Sequence, residues 1–563
     1  MPDSRDRLAL LPRLTFALLL CGLPGLSGVG AQVVESRIGD QLRLILESAP
    51  LPLELELGGE RISAGYALPA FYEQRVYQPA WVTSLGPSPA VIDLVESLSA
   101  VEDEGLNPAD YHLARLRSLL EELSVDDRSE SAMSAAELDL LSTDAFLTLG
   151  AHLVSGRVDP ASFDREWQAI LREVDLVARL NGALERGDVS AALAALLPGQ
   201  AGYFRLRDMG RRYRAIVEAG GWQPVSEGPA LKPGDSGPRV GELVRRLRVT
   251  DGLEPAAPET DEMLFDTSVE AVVRRFQGRH GLEADGIVGV STLAALNVSA
   301  SERLRQIYLN LERWHWLPQS LGERYVLVNL PAFALQAVEG GELRLEMKVA
   351  VGRRYRRTPV FSDVIRYLVF NPYWEVPPSL AIKDKLPEIR KDPTYFSKQG
   401  IRVLSGWGTD QQEIDPATVD WNVLGKGNFP YRLRQDPGPL NALGRVKFMF
   451  PNPFNIYLHD TPAKEAFARA ARDISSGCIR LERPLDLAQL LLSGNAGWQP
   501  SRIEEYVADY QPRTISLETP WQVHLLYWTS WVDVDGVLQF RVDLYDRDRQ
   551  LLEALGSSIP ALP

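Results

Sequence analysis

At 563 residues the chain is longer than one domain, and a prior of roughly 150 residues per domain gives three or four. With 45% hydrophobic and 24% charged residues it has the make-up of a soluble globular protein, able to bury large cores without disulfides. A formal net charge of −15 repels phosphate backbones and excludes nucleic acid from the expected partners.

The N-terminus reads "MPDSRDRLALLPRLTFALLLCGLPGLSGVGAQ". Arg5, Arg7 and Arg13 precede a short apolar core, Leu14 to Leu23. Val29-Gly30-Ala31 then offers small residues before Gln32, so residues 1–31 are expected to be a cleaved signal peptide. The apolar run falls short of the roughly 20 residues that span a bilayer, so an uncleaved anchor is the lesser alternative. Leu20 is bulky before Cys21, which disfavours lipidation there. Export implies the periplasm, an oxidising compartment in which structural cysteines come in pairs. The chain has two cysteines, and cleavage removes Cys21. Cys478 is left alone, either buried and inert or kept for its reactivity.

Residues 33–225 carry apolar side chains at helical spacing, as in "AVIDLVESLSAVEDEGL", with Pro160 and Pro198-Gly199 as punctuation. They read as a helical scaffold, in which His112 and His152 are satisfied histidines with no catalytic cluster near them. "QPVSEGPALKPGDSGP" is a linker. Residues 231–298 read as a small three-helix domain. In it Thr267 is expected to cap a helix with Glu270, Gly281 to end that helix, and Ser291 to cap the last one. The string "RRFQ…HGL…DGIVG…STLAAL" resembles the peptidoglycan-binding helical domain.

From Tyr325 the apolar period changes to two. "RYVLVNLPAFALQAVEGGELRLEMKVAVG" predicts a β-meander turning at Gly340-Gly341. "RYLVFNPYWEVP" is a further strand. Residues 378–440 break the rhythm and read as an insertion that caps a binding site. Strands resume at "GRVKFMFPNPFNIYLHD", "DLAQLLLSG" is a short helix, and "PWQVHLLYWTSWVDVDGVLQFRVDLYDRD" is expected as a closing hairpin turning at Asp535-Gly536. The fold class expected is therefore multidomain α+β. Residues 323–500 form the mostly-β catalytic domain, and a C-terminal extension, 501–563, completes it.

"NIYLHDTP" puts His459 at a strand end, and nineteen residues later "ISSGCIRL" puts Cys478 after Gly477. A thiol attacks as thiolate, and its ordinary pKa of about 8.5 leaves little of it ionised at neutrality. A histidine in reach takes the proton. Gly477 lets the backbone bend so that nearby amides face a developing oxyanion. Ser475 and Ser476 cap the next helix or turn, or touch substrate. Arg480 either orients the loop through carbonyls or holds a substrate carboxylate.

"HDTP…SSGCIR" resembles the active-site signature of the L,D-transpeptidases, the YkuD-like catalytic domain. The order of scaffold, wall-binding module and insertion resembles the large periplasmic, YcbB-type branch of that family. Most members carry His where this chain has Ser476, and the substitution leaves His459 as the one base candidate. The resemblance implies that Cys478 attacks the amide between the third and fourth residues of a stem tetrapeptide. D-alanine leaves, and a neighbouring stem's amine accepts the acyl group, forming a 3→3 cross-link. It implies donor and acceptor stems as substrates, carbapenems as inhibitors, cell-wall synthesis proteins as partners, and neither metal nor cofactor. Tyr457, Asn371 and Trp374 are candidates for substrate contact or framework. An L,D-carboxypeptidase, an enzyme attaching lipoprotein to the wall, and a non-catalytic wall-binding protein stay open as rivals.

Overall fold

The computed structural model describes residues 26–49, 55–125, 132–253, 263–406 and 410–560. Most of the expected signal peptide, Cys21 included, lies outside them. Leu26–Ser48 is one helix across the expected cleavage point. No described helix is long and apolar enough to cross a membrane. The chain forms two compact units: Met1–Val95 with His112–Leu147 and Leu180–Val189, and Glu96–Tyr111 with Thr148–Arg179 and Ser190–Pro563.

The first unit is mainly helical, as the spacing predicts, but two short hairpins, Glu56–Leu57 with Glu60–Arg61 and Val82–Thr83 with Gly86–Pro87, interrupt it. Its polar interior is satisfied. The Asp139 carboxylate, fully buried, accepts from the amides of Ala80, Trp81 and Val82 and from the Tyr72 hydroxyl. Four donors offset the cost of burying that charge. His112 lies between Glu60 and Asp144, at 2.9 and 2.8 Å.

In the second unit, Pro238–Thr250 (α1), Thr267–Arg279 (α2) and Val290–Asn297 (α3) form the three-helix module around Leu243, Val273 and Phe276. Two caps differ from expectation. Asp266, not Thr267, caps α2, because its carboxylate reaches the amides of Ser268 and Val269. Gly289 precedes α3, so Ser291 sits inside the first turn. The Gln of "RRFQ" staples the "DGIVG" turn: Gln277 donates to Asp285 and Ile287 O and accepts from Gly286 N.

The β domain is one nine-stranded sheet. Its strands are Arg324–Asn329 (β1), Ala334–Glu339 (β2), Glu342–Gly352 (β3), Phe361–Phe370 (β4), Val446–Met449 (β5), Leu458–His459 (β6), Asp473–Ser475 (β7), Ile479–Leu481 (β8) and Arg513–Leu526 (β9). The order is β7-β3-β8-β6-β5-β4-β9-β1-β2, and a further pairing of β2 with β3 closes eight strands into a ring. Val328, Val349, Leu368, Phe448, Leu458, Ile479 and Val523 fill it. The turn at Gly340-Gly341 is as predicted, both residues having positive φ. The predicted closing hairpin is corrected in part. Arg513–Leu526 is a long sheet strand parallel to β1, and only Ser530–Val532 and Leu538–Phe540 form the hairpin.

Residues expected as the insertion fold with Trp374–Glu375 into a separate four-stranded sheet. Short helices accompany it, and its own core is built on Phe396, Val403, Trp421 and Leu433.

Candidate active site

Strand register brings the sequence-predicted pair together. β6 and β8 run parallel with His459 beside Arg480, and β5 runs antiparallel with Lys447 opposite His459. The Ile479 amide donates to Tyr457 O, so pairing continues one residue before β8. Side chains alternate along a strand, so Lys447, Tyr457, His459, Cys478 and Arg480 share one face while Phe448, Leu458 and Ile479 point into the core.

Gly477 has φ +119°, a conformation that disfavours any side chain. Its amide donates to Ser475 Oγ, whose hydroxyl donates to Cys478 O. Ser475 thus caps a tight turn into a strand, not a helix. With the Gly477 and Ile479 amides engaged, the Cys478 amide alone of the three has no partner among the described residues. The loop between β3 and β4 wraps this turn. Arg353 N donates to Ser475 O, and Thr358 Oγ1 donates to Gly477 O. Ser476 Oγ accepts from Arg356, whose guanidinium also grips Asp384 of the insertion.

His459 is 4% exposed. Burial, the Arg480 charge and the Lys447 and Lys464 charges push its pKa down to about 3, against the one favourable contact to the Asp460 carbonyl. That contact, Nδ1 to Asp460 O at 2.5 Å, fixes the tautomer. A carbonyl only accepts, so Nδ1 carries the proton and Nε2 keeps its lone pair. Burial raises the Cys478 thiol, while the Tyr457 amide and phenol and the Arg480 and Lys447 charges favour the thiolate. The sulfur lies 3.9 Å from Asn455 O and makes no hydrogen bond to His459 among the described residues. The resting pair is a neutral thiol and a neutral imidazole under two cations.

Arg480 makes no hydrogen bond or ion pair among the described residues, and its Nε is buried without a partner. Of its two expected roles, the carbonyl contact is not made. Tyr457 stacks edge-on to His459 at 5.7 Å, and Lys447 Nζ lies 5.6 Å from the Tyr457 ring. Asn371 donates instead to Tyr506 O and Gln511 O, a framework contact. Trp374 packs in the insertion under Lys385. Sequence reasoning missed Lys447, Arg356 and Asp384. The alternation in "GRVKFMF" puts Lys447 on the polar face of its strand, but nothing local tells which strand it faces.

Residues 323–503 match the L,D-transpeptidase catalytic domain, 236–296 match a "Putative peptidoglycan binding domain" and 66–209 match a scaffold domain. A Haemophilus influenzae protein named "Putative L,D-transpeptidase" is 35% identical over 247 residues, 44% of this chain and 49% of its own. The chain therefore spans about half the length of that curated relative. Among solved structures, an L,D-transpeptidase from Xylanimonas cellulosilytica is 15% identical over 54% of this chain and 100% of its own, with a TM-score of 0.18. One from Mycobacterium smegmatis is 11% identical over 36% and 58%, with a TM-score of 0.17.

Proposed function

We propose, from the L,D-transpeptidase catalytic domain and the peptidoglycan-binding module this chain carries, that it joins peptidoglycan stems 3→3 through a Cys478 acyl-enzyme in the periplasm. The observation that carries this reading is the shared sheet face of Cys478 and a His459 whose Nε2 is held as a free base.

In this reading Nε2 takes the thiol proton as sulfur attacks the carbonyl of the stem's third residue. The oxyanion forms beside the Cys478 amide and the Lys447 and Arg480 charges. Collapse breaks the amide bond, and the imidazolium returns its proton to the departing D-alanine nitrogen. A side-chain amine from a second stem then attacks the thioester and gives its proton to His459, and the thiol is regenerated. Arg480 meets a stem carboxylate with its unpartnered guanidinium. The insertion limits water at the thioester, favouring amine over hydrolysis. A carbapenem acylates the same sulfur.

The test is muropeptide mass spectrometry after incubation with tetrapeptide-rich peptidoglycan. Dimers linked 3→3 are expected. Tripeptides alone point to the carboxypeptidase, and stem-linked lipoprotein to the attachment enzyme. Unchanged cross-linking by Cys478→Ser points to a non-catalytic wall-binding protein.

A further inference from the structure

In the second unit, a cleft of about 820 Å³ lies between the three-helix module and the β domain. Cys478, His459 and Arg480 are not among the residues that line it. Lys348, Arg354, Arg469, Arg472 and Arg541 line it against Glu283, Asp285 and Asp473. Five cations against three carboxylates is a local reversal of sign in a chain of net charge −15. The Asp285 carboxylate is already engaged by Gln277 and the Ile287 amide.

Three of the cations are engaged too. Arg472 donates to Val349 O and Phe333 O, Arg541 to Arg279 O, and Lys348 to Phe467 O. Arg354 and Arg469 are exposed, and neither guanidinium makes a hydrogen bond or ion pair among the described residues. Around them stand apolar side chains left in water: Ile287 and Val290 on the module, 39% and 88% exposed, and Val542 on the β domain, 69% exposed. Phe333 sits at φ 53°, a costly conformation for an aromatic residue, with its ring 5.3 Å from the Arg472 guanidinium. Among the described residues no Trp or Tyr lines the cleft, so those residues give it no broad aromatic platform on which a sugar ring stacks.

We propose that this cleft binds the anionic stem peptides of a peptidoglycan strand, apart from the stem being cleaved. Stem carboxylates pair with Arg354 and Arg469, and stem alkyl groups cover Ile287, Val290 and Val542. The cleft reaches the nucleophile along the chain, since Asp473 lines it at the start of β7 and Cys478 comes five residues later. A strand held there presents its next stem near the thiol. The proposal rests on the reaction proposed above and deepens it.

The experiment uses the full chain and an Arg354→Glu/Arg469→Glu double variant. Two quantities are measured: co-sedimentation with purified sacculi, and the rate at which a carbapenem acylates Cys478, which also reports folding. Sacculus binding is expected to fall at least tenfold in the variant, with acylation within twofold of wild type. Wild type is expected to lose binding on sacculi stripped of stems by an amidase. Undiminished binding by the variant, or equal binding of wild type to stripped glycan, overturns the proposal. A wild type that needs Arg354 and Arg469 for sacculi yet leaves Cys478 unacylated supports the cleft and sinks the proposed reaction instead.

Discussion

Arg356 grips Asp384 through two hydrogen bonds of 2.5 Å each, and the same guanidinium donates to Ser476 Oγ at 2.9 Å. One side chain thereby ties the insertion to the residue before Gly477-Cys478. If it holds the nucleophile turn, Arg356→Ala slows carbapenem acylation of Cys478 about tenfold with little change in melting temperature. Asp384→Ala does the same, and the double variant is no slower than either single one. Additive losses in acylation rate would separate the two residues.

Cys478→Ala is expected to take up no carbapenem mass. If His459 is the base, as proposed, His459→Gln keeps the thiol, and its acylation is expected to fall by about 10²- to 10⁴-fold at pH 7. An His459→Gln enzyme within threefold of wild type removes His459 from the reaction.

The rate should also report the resting charge state. The thiol is raised by burial and His459 is held near 3, so no thiolate–imidazolium pair is stored at neutrality. With His459 a neutral base and the thiol un-ionised from pH 6 through pH 8, carbapenem acylation should vary little across that range. A rise of nearly tenfold per pH unit there would show that free thiolate attacks without help from His459.

Folding stability should fall in acid. His459 and His315 titrate near 3 in the folded protein and His152 near 4, against about 6.5 unfolded. A depressed folded pKa means that the unfolded chain binds more protons between those limits. The stability these neutral rings contribute is complete above about pH 6.5 and is lost as pH drops toward 3. His112, against the pull of its burial, is shifted the other way by Asp144 and Glu60 and offsets part of this. Urea midpoints at pH 7.5 and 5.0 measure it, and an equal or higher midpoint at pH 5.0 contradicts it.

Asp164 and Arg547, 1% and 0% exposed, pair at 2.6 Å, and Arg547 also donates to Thr358 O. Removing the Asp164 carboxylate leaves the buried guanidinium with Glu166, 3.6 Å away, as its one remaining counter-charge among the described residues. Asp164→Ala should cost about 3–5 kcal/mol of unfolding free energy by denaturant titration. A cost under about 1 kcal/mol would mean that water reaches Arg547.

The parts legible in the sequence are those written locally. Alternation gave β1 to β3 and their turn, and a 3.6-residue period gave α1 and α2. "HDTP" and "SSGCIR" pointed to His459 and Cys478, which strand register sets on one sheet face. What stayed hidden depends on partners far along the chain. Lys447 matters because β5 pairs with β6, Arg356 because Asp384 and Ser476 meet it from 28 and 120 residues away. Residues 520–526, the second half of β9, read as one arm of a hairpin because their partners, β1 and β4, lie far behind them. The α2 cap moved by one residue because the Asp266 carboxylate reaches the amides of Ser268 and Val269.

The closed ring also limits how a guest chain can dock. Eight strands pair on both sides along at least part of their length, whereas β7 pairs with β3 alone among the described residues. β7 therefore offers a berth for main-chain zippering by an incoming extended peptide. That berth, Asp473 to Ser475, runs straight into the turn that bears the sulfur.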